Sequence, residues 1–176
     1  MTFHETPIVG VYIIDIERIE DERGFFTRLW HPQALQAKGL NPHIAHMSAS
    51  FNRRKGTLRG MHYQAEPVSE VKVVRCTQGA IYDVALDLRR DSPTFRRSFG
   101  CELTSTNHRM LYIAEGIAHG FQTLRDETEV LYLISQEYSP QHGRGVRWDD
   151  PAFGIVWPED VRTINERDRS YPDFFR

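Results

Sequence analysis

The sequence predicts an all-β fold, a barrel or jelly roll with one or two short helices. Eight or more short runs rich in Val, Ile, Tyr, Phe and Thr are divided by Gly, Pro, Asp and Asn. Helical signals are confined to one stretch near residue 32 and one turn in the tail. The apolar runs also carry titratable residues at alternate positions, which on a buried strand must be paired or line a cavity.

Taken in order, residues 7–15 (PIVGVYIID) read as a first strand, DERG at 21–24 as a turn, and FFTRLW as a second strand. A helix follows: Pro32 stands at its first position after His31, and Gly39 lies just past its end. The segment 43–50 (HIAHMSAS) alternates loosely and 51–56 is a loop. The pivotal stretch then runs from Lys55 to Asp87, KGTLRGMHYQAEPVSEVKVVRCTQGAIYDVALD. DLRRDSPTF is a turn-rich link, and RSFGCELT, RMLYIA, GIAHGFQTL and TEVLYLISQEY are further strands. The tail from Trp157 is polar and proline-punctuated, a loop with one helical turn. Without internal repeat, linker or low-complexity tract, residues 1–176 read as one domain.

Composition narrows the function. Hydrophobic content of 40% with 26% charged residues is that of a soluble globular protein. A net charge of −2 argues against nucleic-acid and anionic-membrane partners. No apolar run reaches spanning length and no charged-then-apolar leader is present, so the expected location is cytoplasmic. Cys76 and Cys101 lack C-x-x-C spacing and read as free thiols.

Within the pivotal stretch, Lys72 shares a strand face with Val74 and Cys76, and Asp83 shares one with Ile81 and Ala85. His62, His119, Tyr132 and Tyr138 join them on apolar strands, and the two tyrosines have the same strand parity. Any one of these can be a satisfied core residue; six in one small barrel point to a polar pocket. Strict alternation sets Arg59 and His62 on opposite faces, unless Gly60 permits a bulge or Arg59 acts from the barrel mouth. His62, Glu66 and His119 could offer three metal ligands. However, the paired histidines of a metal-binding cupin are replaced by His62-Tyr63-Gln64, and Lys72 is a poor neighbour for a cation, so no metal is expected. There is no G-x-S-x-G elbow, Walker loop or G-x-G-x-x-G.

TLRGMHYQ, KVVRCTQGAIYDVALDLRRDSPTF, EGIAHGF, VLYLISQEYSP and RWDDPAFGIVWP, with DERGFF before them and NERD after, together resemble the dTDP-4-dehydrorhamnose 3,5-epimerase family. The resemblance covers most of the chain in order. It implies a metal-free, cupin-like jelly-roll barrel and a homodimer whose N-terminal segments cross to the neighbouring subunit. The implied reaction inverts C3 and/or C5 of a nucleotide-diphosphate 4-keto-6-deoxysugar without a cofactor, because the C4 ketone already acidifies the adjacent C–H bonds. By resemblance His62 is the base, oriented by Asp168; Tyr132 is the acid on the opposite face; and Lys72 stabilises the enolate oxygen. His119, with Asp83 behind it, completes the sugar pocket, and Gln64 joins the substrate-binding set. Arg59 takes the diphosphate, Tyr138 stacks on the base, and Arg23 and Phe26 reach a neighbour's nucleotide.

The chain departs from the family pattern at the rim: Arg28 and Gly143 stand where glutamates are common, Ile44-Ala45-His46 replace a Gln-Asp-Asn trio, and Arg53-Arg54-Lys55 lengthen a link. GDP-, CDP- or UDP-linked sugars therefore stay open beside dTDP. Inversion of one carbon only, carbonyl migration by a ketoisomerase, and sugar-nucleotide binding without chemistry are the competing readings.

Overall fold

The computed structural model describes residues 1–174. The chain starts with β1 (Thr2–Glu5) paired to β2 (Val11–Asp15), then forms an outlying hairpin of β3 (Arg18–Asp21) and β4 (Gly24–Thr27). Helix α1 (Pro32–Ala37) has His31 as its N-cap, Pro32 in its first turn and Gly39 beyond it at φ +77°, the layout the sequence predicts. Next come β5 (His46–Asn52), β6 (Leu58–Gln64), β7 (Lys72–Gln78), β8 (Ala80–Asp87) and β9 (Ser98–Thr104). They are followed by β10 (Met110–Ile113), β11 (Ile117–Thr123), β12 (Thr128–Ile134), β13 (Gly143–Gly145) and α2 (Glu166–Arg169).

The strands form two antiparallel sheets with the crossed order of a jelly roll: β1-β2-β10-β7-β12-β5 and β13-β6-β11-β8-β9. Between them Val74, Leu111 and Val130 of the first sheet meet Ile81, Leu103 and Phe121 of the second. Each such side chain taken from water is worth about 1.5–3 kcal/mol. Both sheets are also covered outside. Val73, Tyr112 and Leu133 pack beneath Leu35 of α1, and Met61, Val84 and Ala118 lie under Val146 and Phe153. Cover on both faces explains why β11 is buried along its whole length, its polar His119, Gln122 and Thr123 included.

Several boundaries differ from the sequence expectation. The first strand begins only at Val11, because Gly10 turns the chain at φ +86°, and the strand after the 21–24 turn stops at Thr27. β1, β3 and β13 are not predicted; all are short, β1 and β3 are largely exposed and β13 is Gly-Arg-Gly, so no apolar alternation marks them. Residues 51 and 52, read as loop, extend β5. Among the described residues no helix is long and apolar enough to cross a membrane.

The last positioning element is the returning tail. Leu58 N donates to Thr163 O at 2.8 Å and Arg162 N to Gly56 O at 3.0 Å. These bonds lay the C-terminal segment along the start of β6 and bring α2 beneath Gly60 and His62.

Candidate active site

A cavity of about 310 Å³ opens between the two sheets at one end of the barrel. The five-stranded sheet contributes Arg59 and His62 from β6 with His119 and Phe121 from β11. The facing sheet contributes Ser48 and Ser50 from β5, Lys72 from β7, and Tyr132 from β12. Asn165 and Asp168 of the tail complete the wall behind His62.

Arg59 and His62 reach the same cavity because β6 carries a bulge. Arg59 pairs with Phe121 and His62 with His119, so three steps along β6 match two along β11. Gly60 carries this bulge at φ +124°, and a Cβ there would stand 2.5 Å from Gly120 Cα. Only glycine satisfies both the dihedral and the close approach. Arg59 itself is exposed at the mouth, its Nε donating to Asn52 Oδ1 at 2.8 Å.

His62 Nε2 lies 2.6 Å from Asp168 Oδ1, and Gly60 N donates to Asp168 Oδ2 at 3.0 Å. Asn165 caps α2 by accepting from Asp168 N, which fixes the aspartate's backbone as well. Burial pushes the Asp168 carboxyl up, but the His62 bond, the Gly60 amide and the nearby Arg167 outweigh it and hold the group below its usual value. Asp168 is therefore an anion that accepts from His62 Nε2–H, leaving Nδ1 as the nitrogen with a free lone pair.

Tyr132 answers from the facing sheet. Burial pushes its phenol up to about 12, against a 3.0 Å hydrogen bond with Ser50 Oγ and the charge of Arg59. It stays protonated at neutral pH, an acid rather than a phenolate. Its ring meets His119 edge-on at 6.2 Å, and His119 Nε2 donates to the fully buried Asp83 Oδ1 at 2.7 Å. Asp83 lies behind the histidine rather than on the cavity wall, and its buried Oδ2 has no hydrogen-bond partner among the described residues.

Lys72 Nζ donates to His62 O at 3.2 Å and pairs with Glu70 at 2.7 Å, which leaves one of its three protons for the cavity. Glu70 was not anticipated; it has the same parity as Lys72 two residues on, the signal that could have found it. Ser50 was missed too, although the loosely alternating 43–50 segment ends on it. His62 and His119 are each committed to a carboxylate, and no three metal-ligating side chains gather among the described residues.

A second cavity, about 200 Å³, shares His62 and Lys72 with the first and is lined further out by Tyr138, Arg144 and Arg167. Tyr138 reaches it from a loop, because β12 ends at Ile134; the parity argument linking it to Tyr132 does not hold, and its side chain is exposed at the rim. Gln64 borders this cavity, but its amide is engaged by backbone: it donates to Val68 O and Glu137 O and accepts from Ser139 N at 2.6 Å. It holds the Tyr138 loop rather than offering a free amide. Arg23 and Phe26 lie on the outlying hairpin and on neither cavity. Arg23 is clasped by Asp21, and Phe26 is exposed beside Arg28 and His31.

The family profile described as dTDP-4-dehydrorhamnose 3,5-epimerase matches residues 5–175. A relative of that name from Methanothermobacter thermautotrophicus is 40% identical over 172 residues, covering 96% of this chain and 92% of the relative. The crystal structure of dTDP-4-dehydrorhamnose 3,5-epimerase from Bacillus anthracis, with TDP and PPi bound, is 37% identical with a TM-score of 0.93, covering 97% of this chain and 98% of its own. A 3'-monoepimerase from Streptomyces bikiniensis, in complex with dTDP-quinovose, is 30% identical with a TM-score of 0.88 over 96% of this chain and 86% of its own. Cupin-like jelly roll, paired imidazole and carboxylate, and full-length similarity agree: the chain belongs to the dTDP-4-dehydrorhamnose 3,5-epimerase family of isomerases.

Proposed function

We propose that the protein inverts C3 and C5 of a dTDP-linked 4-keto-6-deoxysugar by removing a proton from one face and returning one to the other. The observation that carries this reading is the pair of opposed groups in one cavity: a carboxylate-backed imidazole on one sheet and a neutral phenol on the other. His62 Nδ1 takes the proton α to the ketone, and the C–H electron pair becomes the enolate. Lys72 donates its remaining N–H to the enolate oxygen. Tyr132 then protonates the carbon from the opposite face, and Ser50 and solvent restore its proton. A positioned base and acid are each worth on the order of 10²–10⁴-fold.

Arg59 at the mouth is suited to the diphosphate and Tyr138 at the rim to stacking on the base. His119, aimed by Asp83, closes the sugar pocket. The chain acts as one domain and as a homodimer. In support, Ile19, Phe25 and Phe26 are exposed on the hairpin and Met47 and Phe51 on edge strand β5, surface that a second copy would cover. By this reading Arg23 and Phe26 work on the neighbour's nucleotide. Free Cys76 and Cys101 favour a reducing compartment, the cytoplasm.

The test is incubation with a panel of nucleotide 4-keto-6-deoxysugars in heavy water, reading mass shift and product stereochemistry together. The dTDP-linked sugar should gain two deuterons with both centres inverted. One deuteron with C3 inverted would place the protein with the monoepimerase it resembles, and no uptake from any sugar would refute the proposal.

A further inference from the structure

We infer that Tyr171, two residues after α2, is a positioning residue that ties nucleotide binding to the proton-transfer pair. The inference rests on the epimerase reading above and names a residue outside both cavities' walls.

Strand β13 has the sequence Gly-Arg-Gly. Gly145 lies opposite His62 in the ladder with β6 and Gly143 opposite Gln64. A strand with glycine at both positions has no side chains on one face and forms a flat shelf beside the base. Tyr171 lies on Gly145, where any Cβ would overlap its ring. From there its ring stands edge-on to the His62 imidazole, 6.3 Å between centroids at 66°. Over Gly143 the shelf carries two more groups: Tyr138 Oη and Arg167 Nη2 lie 3.5 and 3.7 Å from the place a Cβ would take. Arg167 Nε donates to Tyr171 Oη at 2.9 Å, so the hydroxyl anchors the guanidinium that sits beside Tyr138.

Arg167 and Asp168 are consecutive residues of α2. One four-residue element thus aims the imidazole through Asp168 and the rim cation through Arg167, and Tyr171 braces both results. The Tyr171 ring backs His62 and its hydroxyl holds Arg167. These two roles separate chemically, because phenylalanine keeps the ring and loses the hydroxyl.

The experiment compares wild type, Tyr171→Phe and Tyr171→Ala for kcat, KM and the affinity for dTDP. Tyr171→Phe should raise KM and the dTDP dissociation constant about five-fold, the loss of one solvent-exposed hydrogen bond, with kcat within about two-fold. Tyr171→Ala should add a fall in kcat of about ten-fold, which the phenylalanine variant rescues. Should the alanine variant melt below the assay temperature, Tyr171→Leu, which keeps bulk but not the flat ring, is expected to show the same fall. Unchanged KM and dTDP affinity in Tyr171→Phe, or equal kcat losses in the phenylalanine and alanine variants, would overturn the inference. A wild type that neither binds dTDP nor exchanges deuterium would refute the epimerase reading instead, so the two failures are distinguishable.

Discussion

Replacing Asp168 by asparagine probes the pair on which the proposed chemistry turns while changing almost no volume. The carboxylate accepts from His62 Nε2 at 2.6 Å and from Gly60 N at 3.0 Å, and both partners are donors. An amide has one accepting atom. If its oxygen serves His62, its NH₂ faces the Gly60 N–H; if it serves Gly60, the NH₂ requires Nε2 to be the acceptor. The second arrangement moves the imidazole proton to Nδ1, the atom proposed to take the substrate proton. Either way a buried charge-assisted bond becomes neutral, and in the first arrangement the Gly60 N–H also loses its acceptor, a stability cost of about 1–3 kcal/mol. The wrong tautomer in the analogous orienting role costs on the order of 10⁴ in kcat. Steady-state rates in Asp168→Asn, with urea unfolding alongside, should therefore show a fall of about 10³–10⁴ in kcat and a modest loss of stability. The loss in Asp168→Asn combined with His62→Ala should be far less than additive, since both remove one unit. A variant that keeps kcat within ten-fold of wild type would show that Asp168 does not orient the base.

Two further outcomes follow from the framework around the site. Gly60→Ala sets a Cβ 2.5 Å from Gly120 Cα at φ +124°, so it should cost about 2 kcal/mol or more in thermal or urea unfolding and reduce activity by displacing His62. Asp87 is fully buried; burial raises its carboxyl, but bonds from Arg89, Ser92 and Thr94 bring it down from 3.8 to about 2. A carboxyl lowered on folding stabilises the fold above its unfolded value, so about 2 kcal/mol should be lost as pH falls from about 4 to 2. Urea midpoints across that range should show the slope, and Asp87→Asn should be less stable at pH 7 and lack this part of it.

How much of this could be read in advance varied with the length and burial of each segment. The helix at 32–37 was marked by proline and glycine at its two ends, and the core strands by dense β-branched and aromatic runs. β13 carries two glycines and no apolar residue, so nothing in it signals a strand; only its pairing with His62 shows its purpose. Parity misled at both ends of the site. It separated Arg59 from His62 because the Gly60 bulge adds a residue, and it joined Tyr138 to Tyr132 although the strand stops at Ile134. The His62–Asp168 bond spans 106 residues, and no local pattern encodes it; family resemblance supplied that pairing and the fold realises it through the returning tail. Glu70 and Ser50, by contrast, lay within reach of a parity argument applied to residues near the strand ends.

The central claim is that the proton leaves toward His62 and returns from Tyr132, on opposite faces of one sugar. Isotope exchange in the two single variants tests it most directly. In heavy water Tyr132→Phe should place deuterium in recovered substrate without changing its configuration, because His62 returns a solvent deuteron to the face it came from. His62→Ala should place none. Inversion at near wild-type rate in Tyr132→Phe, or deuterium uptake at wild-type rate in His62→Ala, would contradict the account.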